Sequence, residues 1–371
     1  MSIYSDVSER YAKGAQAREE SLCCPVDYDQ SLLAMLPQEI IEKDYGCGDP
    51  SRYVRSGDTV LDLGSGGGKI CYMAAQLVGD TGQVIGVDMT DDMLALARKY
   101  QGEMAEKLGG DRVAFKKGYI QNLALDVNKV NHFLSEHPIN DANVLSEFES
   151  WKTKQCVEAP LIETGSVDLV ISNCVLNLVA EQDRKQMIAE IFRVLKPGGR
   201  VAISDIVADE YVPEHLKNDA TLWSGCISGA FHEKDFLQAF TDAGFVGSSY
   251  DKWDAAPWQV VEGIEFRSVT LTAVKPSKAD LYDGGHGVLY KGPYAKVYDD
   301  LGNIYLRGER MAVSKRTYDL LMAQPYEGGF IGIEPSEQVN HGGFCKPQGA
   351  LRPAAETKGG KQAGGEDSAC C

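Results

Sequence analysis

From Asp58 to Lys275 the chain alternates short, β-branched apolar runs with amphipathic helical stretches. Few architectures accept that order. Parallel strands need a long crossover between them, and a helix is its usual form. The alternation predicts a doubly wound, mostly parallel α/β sheet with helices on both faces. Strands are expected at DTVLDLG (58–64), GQVIGVDM (82–89), DRVAFKKG (111–118), SVDLVISN (166–173), RVAISDI (200–206) and EFRSVTLTAVK (265–275). Helices are expected at 69–79, over 90–110 as one piece capped by Thr90 and closed at Gly109, at 181–199 closed by Pro-Gly-Gly, and at 233–245.

This core domain is expected to span 51–275. Residues 1–50 read as a helical segment with breaks at Gly14 and Pro37. A polar stretch of about 122–165 is too long for an ordinary loop and should carry a helix or two. Residues 276–345 read as a small α+β domain, with a turn at Asp300–Asn303 and a helix capped by Ser314. The Gly-, Ala- and Lys-rich end, 346–371, has too little apolar content to build a core and reads as disordered.

Composition narrows the partners. The formal net charge is -17, with Lys and Arg scattered among acids. Nucleic acid and anionic membrane surfaces are poor partners for such a chain. The first residues, MSIYSDVSER, show no signal pattern, and no apolar run approaches a membrane span. A cytoplasmic location and reduced thiols are therefore expected. The ten cysteines form no Cys-x-x-Cys pair and no zinc-finger spacing. Taken one at a time, most read as small buried hydrophobes.

The first strand runs into VLDLGSGGG, with Asp62 on the strand and glycines at 64, 66, 67 and 68. The dinucleotide fingerprint G-x-G-x-x-G needs glycine at 69 or 71, where Lys69 and Cys71 stand, so the hydride-transfer reading fails in detail. Glycine lets backbone approach a ligand closely. Asp88 ends the second strand, where an acid can accept both ribose hydroxyls of a nucleoside. Together with FRVLKPGGRVAISD (192–205), these residues resemble class I S-adenosylmethionine-dependent methyltransferases over about 58–275. The resemblance implies a seven-stranded Rossmann-like sheet and S-adenosyl-L-methionine as methyl donor.

The fourth strand stops at Ser172-Asn173, and Cys174 follows at the sheet's ligand-facing edge. SNCVLNL (172–178) has no proline and no aromatic platform, so planar amine substrates lose support. Cys47 in DYGCGDPS sits between glycines, which suggests access and mobility. Cys226 in WSGCISGA lies among small residues, and Cys23-Cys24 form a doublet upstream.

YGCG, DLGSG, GVDMT, SNCVLNL and the later W-x-x-C-x-x-G-A are together similar to arsenite S-adenosylmethionine methyltransferases. That resemblance implies Cys47, Cys174 and Cys226 as the thiolates that gather arsenic. Cys23 or Cys24 would exchange redox equivalents with Cys47, and a glutathione- or thioredoxin-type reductant would regenerate them. Cofactor contacts would come from Tyr45, Asp62, Gly64, Ser65, Gly66, Gly68, Asp88, Met89, Ile120, Gln121 and Asn173. Cys71 reads as packing. The chemistry suits the residue types, since trivalent arsenic is soft and prefers thiolates. Its exposed lone pair attacks the sulfonium methyl in line, and no general base is needed. The chain departs from the usual family pattern in five places, two of them being the Cys23-Cys24 doublet and a C-terminal region that resembles the family only loosely. Gln121 replaces a carboxylate in GYIQ, Lys69-Ile70 stands where Arg-Asp is common, and the 122–165 insertion is longer. The chain is expected to act as a monomer. Two other readings remain at this level: a methyltransferase for another organic, sulfur or selenium small molecule, and a thiol-rich binding module that sequesters soft metals through its ACC tail.

Overall fold

The computed structural model describes residues 3–16, 26–43, 45–277, 281–336 and 342–357. The chain divides into two compact units, Met1–Pro276 and Ser277–Cys371.

Among the described residues the first unit is built on nine strands: β1 (Thr59–Leu63), β2 (Gln83–Asp88), β3 (Val113–Lys117), β4 (Val167–Asn173), β5 (Leu195–Ala208), β6 (Phe231–His232), β7 (Val246–Trp253), β8 (Gln259–Val261) and β9 (Ile264–Val274). The main path runs β3-β2-β1-β4-β5-β9-β7, with β6 beside β5 and β8 beside β9. The first five strands of that path pair in parallel, and β9 runs antiparallel to both β5 and β7. This is the expected doubly wound, mostly parallel seven-stranded path, reversing on either side of β1.

Helices in chain order are α1 (Ile3–Gln16), α2 (Gln30–Leu33), α3 (Gln38–Glu42), α4 (Lys69–Leu77), α5 (Asp91–Lys99), α6 (Gln101–Leu108), α7 (Val127–Glu136), α8 (Ala142–Glu158), α9 (Glu181–Val194), α10 (Glu214–Lys217), α11 (Ala220–Ser224) and α12 (Glu233–Asp242). Central strands are apolar on both faces because both are covered. Along β5, Val201 and Ile203 join the core under α9 and α12, while Ala202 joins the one under α4. A third apolar cluster lies among the loops after β4 and β5 and holds Cys47, Cys174 and Cys226 together with Trp223 and Phe266. No described helix is long and apolar enough to cross a membrane.

Several boundaries differ from the sequence reading. Residues 3–16 form one helix through Gly14, whose carbonyl accepts a hydrogen bond from Tyr45 Oη at 3.1 Å. The N-terminal segment belongs to the first unit rather than standing apart. The helix expected over 90–110 divides at Tyr100, which lies off helical geometry at φ -103°, ψ 3°. The chain enters β5 already at Leu195, so Pro-Gly-Gly lies in the strand. The long polar stretch carries α7 and α8, joined through Phe133 stacked on His137 and Trp151.

The second unit contains β10 (Gly287–Tyr290), β11 (Lys296–Tyr298), β12 (Ile304–Leu306), β13 (Arg310–Ala312), α13 (Lys315–Leu321) and β14 (Phe330–Ile333). They form a β13-β10-β14 sheet and a β11-β12 hairpin. The hairpin closes through Asp299–Asn303, and Ser314 caps α13 by accepting from Thr317 N. Residues 346–357, expected in a disordered tail, are part of this unit. Arg352, fully buried, donates to Asp283 at 2.5 and 3.3 Å and to Glu356 at 2.9 Å. A single buried, paired arginine anchors this segment despite its few apolar residues. Residues 358–371, including Cys370 and Cys371, lie outside the described residues.

Candidate active site

The carboxyl ends of β1, β2 and β4 open onto a cavity. Its wall includes Gly64, Ser65, Gly66, Asp88, Met89, Ile120, Gln121 and Asp62, all anticipated from the sequence, together with Tyr45, Asn173 and Cys174. Gly68, the remaining expected contact, is the left-handed N-cap of α4 at φ 87°, where a side chain would strike Phe115.

The glycine loop is held from behind. Gly64 N and Ser65 N donate to Val87 O at 2.8 and 3.1 Å. Asp88 accepts from Gly66 N at 2.9 Å and from Thr90 N at 2.8 Å, so one carboxylate ties the loop to the β2 end. Burial pushes the Asp88 carboxyl above its ordinary value, with the Thr90 and Gly66 amides opposing it. Cys71 donates to Asp62 at 3.2 Å and is buried, in keeping with a packing role. Lys69, at the position where the family commonly has arginine, lies over the Tyr28 ring at 3.7 Å.

At the end of β4, Cys174 turns out of the sheet at φ 63°, its amide donating to Ser204 O at 2.7 Å. Asn173, expected to contact cofactor, lines the cavity, and its side-chain amide is hydrogen-bonded to the Cys47 segment and Tyr28. Its Oδ1 accepts from Cys47 N at 2.9 Å and Gly48 N at 3.0 Å, and its Nδ2 donates to Gly48 O at 2.8 Å and Tyr28 Oη at 3.2 Å. An asparagine amide offers two donors and two acceptor positions. All four are used, so this side chain seats the Cys47 segment.

Ser268 Oγ adds a hydrogen bond to Cys47 O at 2.5 Å. The glycines beside Cys47 serve close approach. A Cβ on Gly46 would lie 2.2 Å from Asn173 Nδ2, and one on Gly48 would lie 2.4 Å from Ser204 Oγ. Cys47, expected on a mobile segment, is fully buried here and hydrogen-bonded at both its amide and its carbonyl.

The Sγ atoms of Cys47 and Cys174 and a carboxylate oxygen of Asp205 all lie within 4.8 Å of one another. Cys226, after α11, is outside that group. It sits at φ 64°, and its Sγ donates to Cys174 O at 3.3 Å. The fold thus gathers all three expected thiols into one buried cluster but places two of them beside a carboxylate. Cys23 and Cys24 lie outside the described residues.

Asp205 was not anticipated. Its signal was present in VAISD, where an acid closes an apolar strand at the ligand-facing edge. Its carboxylate accepts from Ile206 N at 2.8 Å, Leu176 N at 2.9 Å and Asn177 N at 3.3 Å. Burial raises its pKa to about 6 despite those amides. Tyr4, Val7 and Tyr11 of α1 also line the cavity, and no sequence signal placed them there. Tyr4 Oη donates to Asp183 at 2.5 Å, and Arg10 donates to Ser224 Oγ at 2.7 Å and Thr221 O at 2.9 Å. Burial, then the Cys226 and Cys174 sulfurs, hold the Tyr11 phenol well above its ordinary range.

A glycine loop, an acid ending β2 and an antiparallel β9 inserted between β5 and β7 define a methyltransferase. The family described as "Methyltransferase domain" matches residues 54–244, and a domain of unknown function, DUF8838, matches 277–362. The arsenite methyltransferase of Aquipseudomonas alcaligenes is 31% identical over 308 residues, 78% of each chain. The Homo sapiens arsenite methyltransferase is 28% identical over 331 residues, 85% of this chain and 78% of that one. The crystal structure of an arsenic(III) S-adenosylmethionine methyltransferase from Chlamydomonas reinhardtii superposes with a TM-score of 0.57 at 28% identity, covering 86% of this chain and 100% of that one. The chain belongs to the arsenite methyltransferase family.

Proposed function

We propose that the chain transfers a methyl group from S-adenosyl-L-methionine to trivalent arsenic held by its own thiolates. The observation that carries this reading is Cys174, which lines the cofactor cavity while sharing a buried cluster with Cys47 and Cys226. Arsenic bound there lies against the methyl-facing wall. Positioning of that kind supplies much of the rate in a reaction without proton transfer at the nucleophile.

The arsenic lone pair forms the As–C bond as the sulfonium S–C bond breaks, and S-adenosylhomocysteine leaves. Arsenic is thereby raised to the pentavalent state. Two electrons from thiols return it to trivalent and leave a disulfide, which a glutathione- or thioredoxin-type reductant reopens. Exchange between Cys47 and Cys23 or Cys24 fits that step. Action as a monomer belongs to the same proposal.

The test is methyl transfer from labelled S-adenosylmethionine to arsenite with a thiol reductant present. Methylated arsenicals are the expected products, and Cys174→Ser and Cys226→Ser should abolish them. Wild-type protein that binds S-adenosylmethionine but methylates no arsenical would overturn the reading.

A further inference from the structure

We propose that Asp205 contacts the substrate. With Cys47 and Cys174 holding arsenic as two thiolates, its carboxylate accepts a hydrogen bond from the arsenic hydroxyl that remains. The inference rests on the arsenite reading above and adds a non-cysteine group to the arsenic site.

The placement follows from strand register. Asn173 of β4 pairs with Ser204 of β5, and Cys174 N donates to Ser204 O at 2.7 Å. The next residue on β5, Asp205, is therefore level with Cys174 as that chain leaves the sheet. Cys47 is brought to the same point by Asn173 and Ser268. The outcome is the cluster within 4.8 Å. The third thiol, Cys226, is directed at the Cys174 carbonyl instead.

Asp205 is fully buried, and among the described residues it has no ion-pair partner. An ionised carboxylate has about four acceptor positions. Backbone amides of Leu176, Asn177 and Ile206 fill three. A buried carboxylate gains from every further donor, since water is excluded. A hydroxyl on arsenic bound to the two neighbouring sulfurs is such a donor.

The chemistry balances. Arsenite, As(OH)₃, reacts with two thiols, and each thiol proton leaves with a displaced hydroxide as water. The product carries two As–S bonds and one As–OH, which donates to Asp205. Cys226 can then exchange with that last hydroxide, releasing a third water. Methylarsenite, CH₃As(OH)₂, spends both hydroxyls on the two thiols. Its remaining substituent is a methyl group with no proton to donate. Asp205 should therefore support arsenite and be indifferent to methylarsenite.

The bland alternative is a purely structural carboxylate that ties down the turn after Cys174. Equilibrium titrations of reduced protein, followed by the fluorescence of Trp223 beside Cys226, distinguish the two. Asp205→Asn keeps the shape and an acceptor for the backbone. It should lose about tenfold or more in arsenite affinity, as expected for one hydrogen bond to a charged group. Its methylarsenite affinity should stay within about threefold. Equal losses for both arsenicals, or no loss for arsenite, overturn the proposal. A second measurement does not depend on that variant folding. Cys226→Ser should still bind arsenite, because two thiolates and Asp205 suffice. Loss of arsenite binding with methylarsenite binding retained overturns the proposal too. Wild-type protein that binds neither arsenical would remove the arsenite reading and this inference with it.

Discussion

Cys174 and Cys226 share an uncommon backbone state: both have positive φ, 63° and 64°, and the Sγ of Cys226 donates to the carbonyl of Cys174 at 3.3 Å. Side chains with a Cβ pay steric strain in this left-handed region, about 1–2 kcal/mol per residue. Two thiols are thus held at strained positions, and one is bonded to the backbone of the other.

This gives a test that separates folding from chemistry. Glycine relieves left-handed strain, while alanine retains it. At both positions the glycine variant should be more stable than the alanine variant by about 1 kcal/mol. That order is the reverse of the usual one, in which glycine loses more entropy on folding. Urea midpoints measure it. Both variants should be inactive toward arsenite, and a Cys226→Ala protein more stable than Cys226→Gly would refute the strain assignment.

Asn173 should act on Cys47 and not on the cofactor. Asn173→Ala leaves the Cys47 and Gly48 amides buried without their acceptor, which should cost about 2–4 kcal/mol of stability. Arsenite methylation should fall at least as far as in Cys47→Ser. S-adenosylmethionine affinity, read by calorimetry on the folded variant, should change less than about threefold. A tenfold loss of cofactor affinity with arsenite binding intact would restore Asn173 to the cofactor contacts.

Asp88 carries both loop and ligand duties. Asp88→Ala removes its bonds to Gly66 and Thr90 as well as any ribose contact. It should weaken S-adenosylmethionine binding by about 1.5–3 kcal/mol. Calorimetry showing unchanged affinity would sink the ribose assignment.

The second unit should be acid-sensitive through Asp283. Burial pushes that carboxyl up, but the Arg352 guanidinium and the Gly285 amide, with Lys346 beyond them, together hold it below the ordinary range. A depressed carboxylate contributes stability above the unfolded value near pH 4, and that stability is lost as pH falls through the folded value. Arg352→Ala strands a buried charge and should cost about 3–5 kcal/mol. Hydrogen exchange of β10 and β13 should accelerate in this variant at pH 7. In the wild type it should accelerate only in acid. Unchanged protection in the variant would show that the pair does not hold the unit.

The sequence by itself determined the sheet. Alternating apolar strands and amphipathic helices leave little choice of architecture, and glycines followed by an acid at the end of β2 mark the nucleotide end locally. The three cysteines were also legible, because each stands in a short, distinctive run. What only the tertiary structure decided depends on distance across the chain. Asn173 was legible only as a residue at the cofactor end of β4, and its bond to Cys47, 126 residues away, came from the fold. The glycines around Cys47 looked like hinges, but neighbours in space at 2.2 and 2.4 Å make them points of contact. Asp205 closes the run FRVLKPGGRVAISD, but nothing local marks it as part of the thiol site. It became part of the site because parallel register sets β5 level with the end of β4, and a third strand, β9, brings Ser268 to the Cys47 carbonyl. Local sequence encodes periodicity and turns. The partners of a buried polar group are set by which strands lie side by side, and that is decided only when the sheet has closed over its core.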